Sequence, residues 1–562
     1  MPWHRCIGLV PSLLLLAACG SPAPGSSADL GAPADAGSMD LGETDLGATD
    51  LGTVDFGADQ GTDLGMLPEG AVATESGVVL GVDEGELRVH WAIPYAAPPL
   101  GALRFAPPAP VVRAPEPLPG DAPPPACPQN ARGGGRLVGD EDCLFLNVFS
   151  PTPGEALRPV MVFIHGGAFL QGSSNVALYD GRTLVRAGDV VVVTINYRVG
   201  LAGFLVSEGL RDEGAPGNHG LRDQIAALRW LQRNVAAFGG DPEAVTLFGE
   251  SAGGSSICAL LAAPDAEGLF HRAIIQSGGG CTGYPPVEGA GRSGLGRAAP
   301  RIDALGCTDA ADPAAELACL REVPIGELVA AASVGEASGL GLPDVGPVED
   351  GVLLPGSALE RLASGAAPDV PVISGSNADE AVTFVAAVPV PTEEALELLV
   401  RAQLSPRVAD AVLALYPVED FASPKAAYEA ILGDIAFVCP ALGFVRATAG
   451  GAAPSYAYHF TRVPAGLAGA RGAVHGLELV YLFGRFDVLG YRPRAADEAV
   501  AAAMQQAWTA FARGEALVVA GTSWPAYDPA APGLLLLDDP LAVGSTIREG
   551  RCDALRRLGI SP

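Results

Sequence analysis

Ser251 stands at the centre of Gly249-Glu250-Ser251-Ala252-Gly253, a G-x-S-x-G pentapeptide whose serine could attack an acyl carbonyl. A serine hydroxyl is a weak nucleophile until a base takes its proton, and acyl transfer also needs donors for the oxyanion that forms. Such donors are offered by His165-Gly166-Gly167-Ala168. In an H-G-G turn the backbone N–H groups can approach a carbonyl oxygen closely, because glycine adds no bulk. Gly166 and Gly167, with the N–H of Ala252, are the expected oxyanion hole; losing one such donor typically costs roughly 10²–10³ in rate.

The elements that would hold these groups are legible on either side of them. Residues 245–248 are a short apolar run of strand type, and Ala-rich helical sequence follows the pentapeptide. That is the strand, tight turn and helix that a nucleophile elbow requires, with the serine left exposed at a helix N-terminus whose dipole favours a developing oxyanion. A second apolar run, residues 160–164, ends in the H-G-G turn.

Together with further blocks, these motifs resemble the type-B carboxylesterase family, which includes bacterial esterases, liver carboxylesterases and cholinesterases. The blocks are IPYAAPPLGALRFAPP (93–108), EDCLFLNVFSP (141–151), VVVVTINYRVGLAGFL (190–205), the long run 217–254 that carries Ser251, and GLFHRAIIQSGG (268–279). The resemblance implies an α/β-hydrolase fold, with a mostly parallel central sheet flanked by helices. It also implies an acid in SGSNADEAVTF, at Glu380, and a histidine in GAVHGLELVYLFG, at His475. The chain order Ser251, Glu380, His475 is the hydrolase-fold order of nucleophile, acid and histidine. His475 would then be the general base and Glu380 would fix its tautomer, whereas His165 would shape the oxyanion turn and His219 would be structural.

By the same resemblance Cys127 pairs with Cys143, Cys307 with Cys319 and Cys439 with Cys552, while Cys258 and Cys281 are either a fourth pair or two buried thiols. Arg104 with Glu141, and Arg198 with Asp223, are expected as buried ion pairs that support the scaffold. Three departures from the family pattern stand out. The loop between Cys127 and Cys143 has no aromatic residue, whereas the cholinesterases carry a choline-binding tryptophan there; a quaternary ammonium wants an aromatic face, so cholinesterase activity is not expected. Ala168 and Ala92 each stand where the family usually has glycine.

The N-terminus reads differently. One basic residue, an apolar run through Leu16 and small residues up to Cys19 make a signal peptide over residues 1–18. Leu16-Ala17-Ala18-Cys19 resembles a bacterial lipobox, which implies lipidation of Cys19; Gly20 after it favours the outer membrane. Residues 20–70 contain ten Asp or Glu and no Lys or Arg, with Asp-Leu-Gly or Asp-Phe-Gly recurring every five residues in 40–57. A five-residue period builds no apolar face on a helix or a strand, so residues 19–70 read as an acidic linker. As a flexible chain it would reach roughly 40 Å.

Residues 71–562 remain for one catalytic domain. The whole chain carries a net charge of −30, which argues against nucleic acid as a partner, since phosphate binding needs a basic footprint. The expected protein is a lipid-anchored, extracytoplasmic serine esterase acting on a small or medium ester through an acyl-enzyme. It requires no cofactor and no metal, and its oligomeric state is open. Two alternatives share the fold: a hydrolase of an amide, carbamate or specialised ester, and a non-catalytic adhesion protein. The loops around 283–300 and 335–352, expected to line the acyl and alcohol pockets, carry no readable motif.

Overall fold

Four consecutive valines at 190–193 cannot alternate apolar and polar faces, so a strand made from them must be covered on both sides. The computed structural model bears this out. It describes residues 67–560 except 69, 132–134, 153, 155, 280, 282, 290–292, 309–311, 335–343, 466–470 and 546. Cys19 and the acidic repeats of 40–57 lie outside the described residues, as do the signal-peptide residues 1–18 and part of the loop 335–352.

Among the described residues the main sheet has eleven strands, numbered here along the chain. They are β1 (Val82–Asp83), β2 (Leu87–Pro94), β3 (Phe145–Pro151), β4 (Arg158–Ile164), β5 (Val191–Ile195), β6 (Gly240–Glu250), β7 (Arg272–Gln276), β8 (Val372–Asn377), β9 (Ser455–Phe460), β10 (Leu534–Leu537) and β11 (Ala542–Gly544). The spatial order is β11-β10-β9-β8-β7-β6-β4-β5-β3-β2-β1. Every pairing from β5 through β4 and β6 to β10 is parallel, and the pairings at the two edges are antiparallel. This is the mostly parallel, helix-flanked sheet that the sequence implies.

Along β4 the faces alternate. Val160, Val162 and Ile164 join one apolar core, while Met161 and Phe163 join a second on the opposite side. Helices α1 (His219–Asn234) and α2 (Ala252–Ala262) contribute to the first core, and α3 (Leu477–Leu482) and α4 (Ala495–Ala512) to the second. Among the described residues one helical run, Pro424–Thr448, is long and apolar enough to cross a bilayer, but its apolar stretch is 67% buried within the fold. It is interrupted by a π-helical turn at Asp434–Val438.

The three family-implied disulfides are present, and Cys258 and Cys281 form a fourth. The fourth ties α2 to the segment that follows β7. Both implied ion pairs form as well. Arg104 meets Glu141 through two hydrogen bonds of 2.8 and 2.7 Å, and Arg198 meets Asp223, almost fully buried, at 2.8 and 2.7 Å.

Candidate active site

Open α/β sheets bind ligands beyond the carboxyl ends of their strands, and the register brings Ser251 and the H-G-G turn together there. Phe248 of β6 pairs with Phe163 of β4, and Gly249 with Ile164. Two residues further along each strand stand Ser251 and Gly166. A Cβ on Gly166 would lie 3.1 Å from the Ser251 Cβ and 2.7 Å from the Glu250 carbonyl oxygen. The H-G-G turn therefore lies against the serine, as an oxyanion turn must. His165 supports it: its ring stacks on Tyr197 with centroids 4.3 Å apart, and its Nδ1 is 2.9 Å from the Gly166 carbonyl oxygen.

Ser251 has φ 58° and ψ −121°, outside the ordinary helix and strand regions, and it caps the N-terminus of α2. Such a conformation costs about 1–3 kcal/mol and persists only where the surroundings enforce it. Here they do. The Ser251 N–H donates to the Gln276 carbonyl at 2.9 Å, and a side chain on Gly253 would run into the carbonyl oxygen of Ile164. The glycines of G-x-S-x-G are thus a packing requirement of the turn.

Glu380 follows β8 and is buried, its Oε1 accepting from the Asn377 N–H at 2.7 Å and from Ser277 Oγ at 2.6 Å. Its Oε2 lies 2.5 Å from Nδ1 of His475. The two loops are stitched beside this contact: the Asp379 N–H donates to the Ala473 carbonyl at 3.0 Å, and Asp379 Oδ2 accepts from the Ala473 N–H at 2.8 Å. With a carboxylate at Nδ1 the neutral imidazole carries its proton on that atom, leaving Nε2 free of one and able to accept it. Phe384 and Phe437 pack on the imidazole, with centroid distances of 4.9 and 4.6 Å; Phe437 is delivered by the π-helical turn.

Sequence reasoning gave no role to two further carboxylates. Glu250 Oε1 is in ion-pair contact with His475 Nε2 at 3.0 Å, without hydrogen-bond alignment. Glu478 is fully buried three residues after His475, accepting from Asn377 Nδ2 at 2.5 Å and Gln276 Nε2 at 3.2 Å. Burial pulls the His475 pKa down, but the charges of Glu250 and Glu380, and then Glu478, outweigh it and raise the value to about 9. Burial, followed by repulsion from Glu250 and Glu380, pushes the Glu478 carboxyl upward. The signal for both residues was present in the quoted blocks, as the Glu of G-E-S-A-G and the Glu of H-G-L-E.

Two other buried histidines, His219 and His459, are held neutral. His219 is buried, and desolvation with the nearby arginines holds it well below the usual imidazole range; His459 is lowered to about 3 by burial and Arg548.

Comparison with known proteins identifies the family. Residues 68–555 match the Carboxylesterase family. The chain belongs to that family. Among carboxylesterase relatives, it is 35% identical over 508 residues to the fumonisin B1 esterase of Sphingopyxis macrogoltabida, covering 87% of this chain and 88% of that protein. It is 35% identical over 490 residues to the para-nitrobenzyl esterase of Bacillus subtilis (strain 168), covering 84% and 95%. A solved PNB esterase superposes with a TM-score of 0.74 at 33% identity, covering 86% of this chain and 99% of that one. The carboxylesterase described here is a carboxylic ester hydrolase by membership.

Proposed function

We propose that this carboxylesterase cleaves small or medium carboxylic esters with Ser251 as nucleophile, His475 as general base and acid, and Glu380 as the group that orients His475. The 2.5 Å contact between His475 Nδ1 and Glu380 Oε2, with Nε2 facing Glu250 immediately before the strained Ser251, carries the reading. Ser251 Oγ adds to the ester carbonyl while its proton passes to His475 Nε2. The N–H groups of Gly166, Gly167 and Ala252 hold the oxyanion. Collapse expels the alcohol, which takes the proton from His475 and leaves an acyl-Ser251. Water then gives a proton to His475 and its oxygen to the acyl carbon, releasing the acid and restoring the serine.

A p-nitrophenyl acetate assay on the purified protein and on Ser251→Ala tests this reading. Loss of about 10³-fold or more in kcat is expected for the variant. Equal turnover by both forms would sink the assignment of Ser251, and no turnover above background by either would favour the non-catalytic alternative.

The cellular setting is part of the proposal. Residues 1–18 are read as an export signal, Cys19 as a lipidated N-terminus at the outer membrane, residues 19–70 as a spacer and 71–562 as the catalytic domain. The Leu16-Ala17-Ala18-Cys19 motif and the uninterrupted acidity of residues 20–70 support this. Metabolic labelling with palmitate in a bacterial host is expected to disappear in Cys19→Ser; labelling that persists would refute the anchor.

A further inference from the structure

Away from Ser251, a cavity of about 270 Å³ opens between α1 and the proline-rich segment 107–111. Arg222, Ile225, Ala226, Arg229 and Arg233 of α1 all line it, and their spacing of i, i+3, i+4, i+7 and i+11 is one helical stripe. Val111 and the buried Leu353 supply apolar wall on the other side.

Arg222 is the innermost of the three cations, with its side chain 15% exposed. Its Nε and Nη2 are buried and have no hydrogen-bond partner among the described residues. The nearest acid, Asp350, is 3.8 Å away and already accepts from Asn218 Nδ2 at 3.0 Å and from the N–H groups of Val352 and Leu354 at 3.0 and 2.8 Å. Arg233 and Arg229, each 49% exposed, face Glu75 at 2.8 Å and Asp265 at 3.5 Å at the mouth. The cavity therefore combines an inner guanidinium, in long ion-pair contact with Asp350 and without a hydrogen bond at Nε or Nη2 among the described residues, with apolar walls. A guanidinium fork whose N–H groups are desolvated and unmatched favours a planar oxyanion acceptor.

We infer that this cavity is a binding site for a carboxylate carried on an apolar body, separate from the ester-cleaving site. Arg222 receives the carboxylate, and Ile225, Val111 and Leu353 cover the hydrocarbon. Two sources offer that chemistry. One is a free aliphatic carboxylic acid, the class of product that ester hydrolysis releases. The other is the chain's own Asp-Leu-Gly segment, residues 40–57, which precedes Glu75 at the cavity mouth by a short stretch of sequence.

Calorimetric titration with octanoate tests the inference on the full chain, on the chain lacking residues 40–57, and on Arg222→Leu and Arg229→Gln. The p-nitrophenyl acetate turnover of each protein reports that the fold is intact; Arg229→Gln covers the case in which Arg222→Leu fails to fold. Octanoate is expected to bind saturably, with affinity reduced about tenfold by loss of a charge-assisted contact in the arginine variants and turnover unchanged. Equal affinity with and without residues 40–57 supports the site as one for free acids. Affinity gained on removing them supports the site with the chain's own segment as occupant. Absence of binding in both, or binding indifferent to both arginine substitutions, overturns the inference.

Discussion

Nε2 of His475 lies 3.0 Å from Oε1 of Glu250, the residue immediately before Ser251. The atom proposed to take the serine proton is thus held beside a carboxylate that stabilises its charged form. General-base catalysis needs the neutral imidazole, so kcat/KM should fall as pH drops through the His475 pKa, which the surrounding carboxylates raise to about 9. Glu250→Gln removes a negative charge, makes the imidazolium less favourable and should move this acid limb to lower pH. A pH profile of kcat/KM checks it; an unmoved limb would contradict the assignment.

Glu380 touches His475 on the opposite ring nitrogen, and its role is different. Glu380→Gln keeps the shape but presents the wrong partner to Nδ1, so kcat should fall by about 10³–10⁴ with KM little changed. A large rise in KM alongside the fall in kcat would point to a misplaced loop instead of a lost tautomer.

Cys258 and Cys281 are bonded, so none of the eight cysteines after Cys19 should react with a thiol reagent in the unreduced, denatured protein. The paired substitution Cys258→Ala with Cys281→Ala should lower unfolding stability by about 2–4 kcal/mol. Two reactive thiols in the parent chain would contradict the pairing.

Ala92 sits at φ 53°, in the left-handed region that favours glycine, where β2 is bulged against β3. Ala92→Gly should therefore raise stability by roughly 0.5–1 kcal/mol. As a control, Ala502→Gly on the exposed face of α4 should cost about 1 kcal/mol. Thermal denaturation of the two variants separates the effects, and destabilisation by both would remove the strain argument.

Ser251 could be read from sequence because its constraint is local: strand, crowded turn and helix are consecutive in the chain. Glu380 and His475 are 95 residues apart, and their meeting depends on the Asp379–Ala473 stitching between two loops, so only the family blocks pointed to them. Glu250 and Glu478 lay inside quoted motifs, yet their effect on His475 arises from burial and distance, which no spacing rule encodes. The same is true of Ala92 and Ala168: the departure from glycine was visible, but their positive φ values, 53° and 57°, were not. Lys425, the only lysine, stands in no motif that names a role for it. In the fold its Nζ donates to the carbonyls of Val385 and Val388, just after the segment that carries Glu380 and Phe384. Cys258 and Cys281 were ambiguous because spacing does not fix pairing.

The central claim is that Ser251 is the residue acylated during turnover. Treating the protein with a p-nitrophenyl phosphonate ester, then measuring its intact mass and mapping its peptides, tests this most directly. One phosphonyl group per chain is expected, on the peptide containing Ser251, with activity lost in proportion to its incorporation. Full loss of activity with the adduct on any other residue, or activity retained with Ser251 modified, would contradict the account.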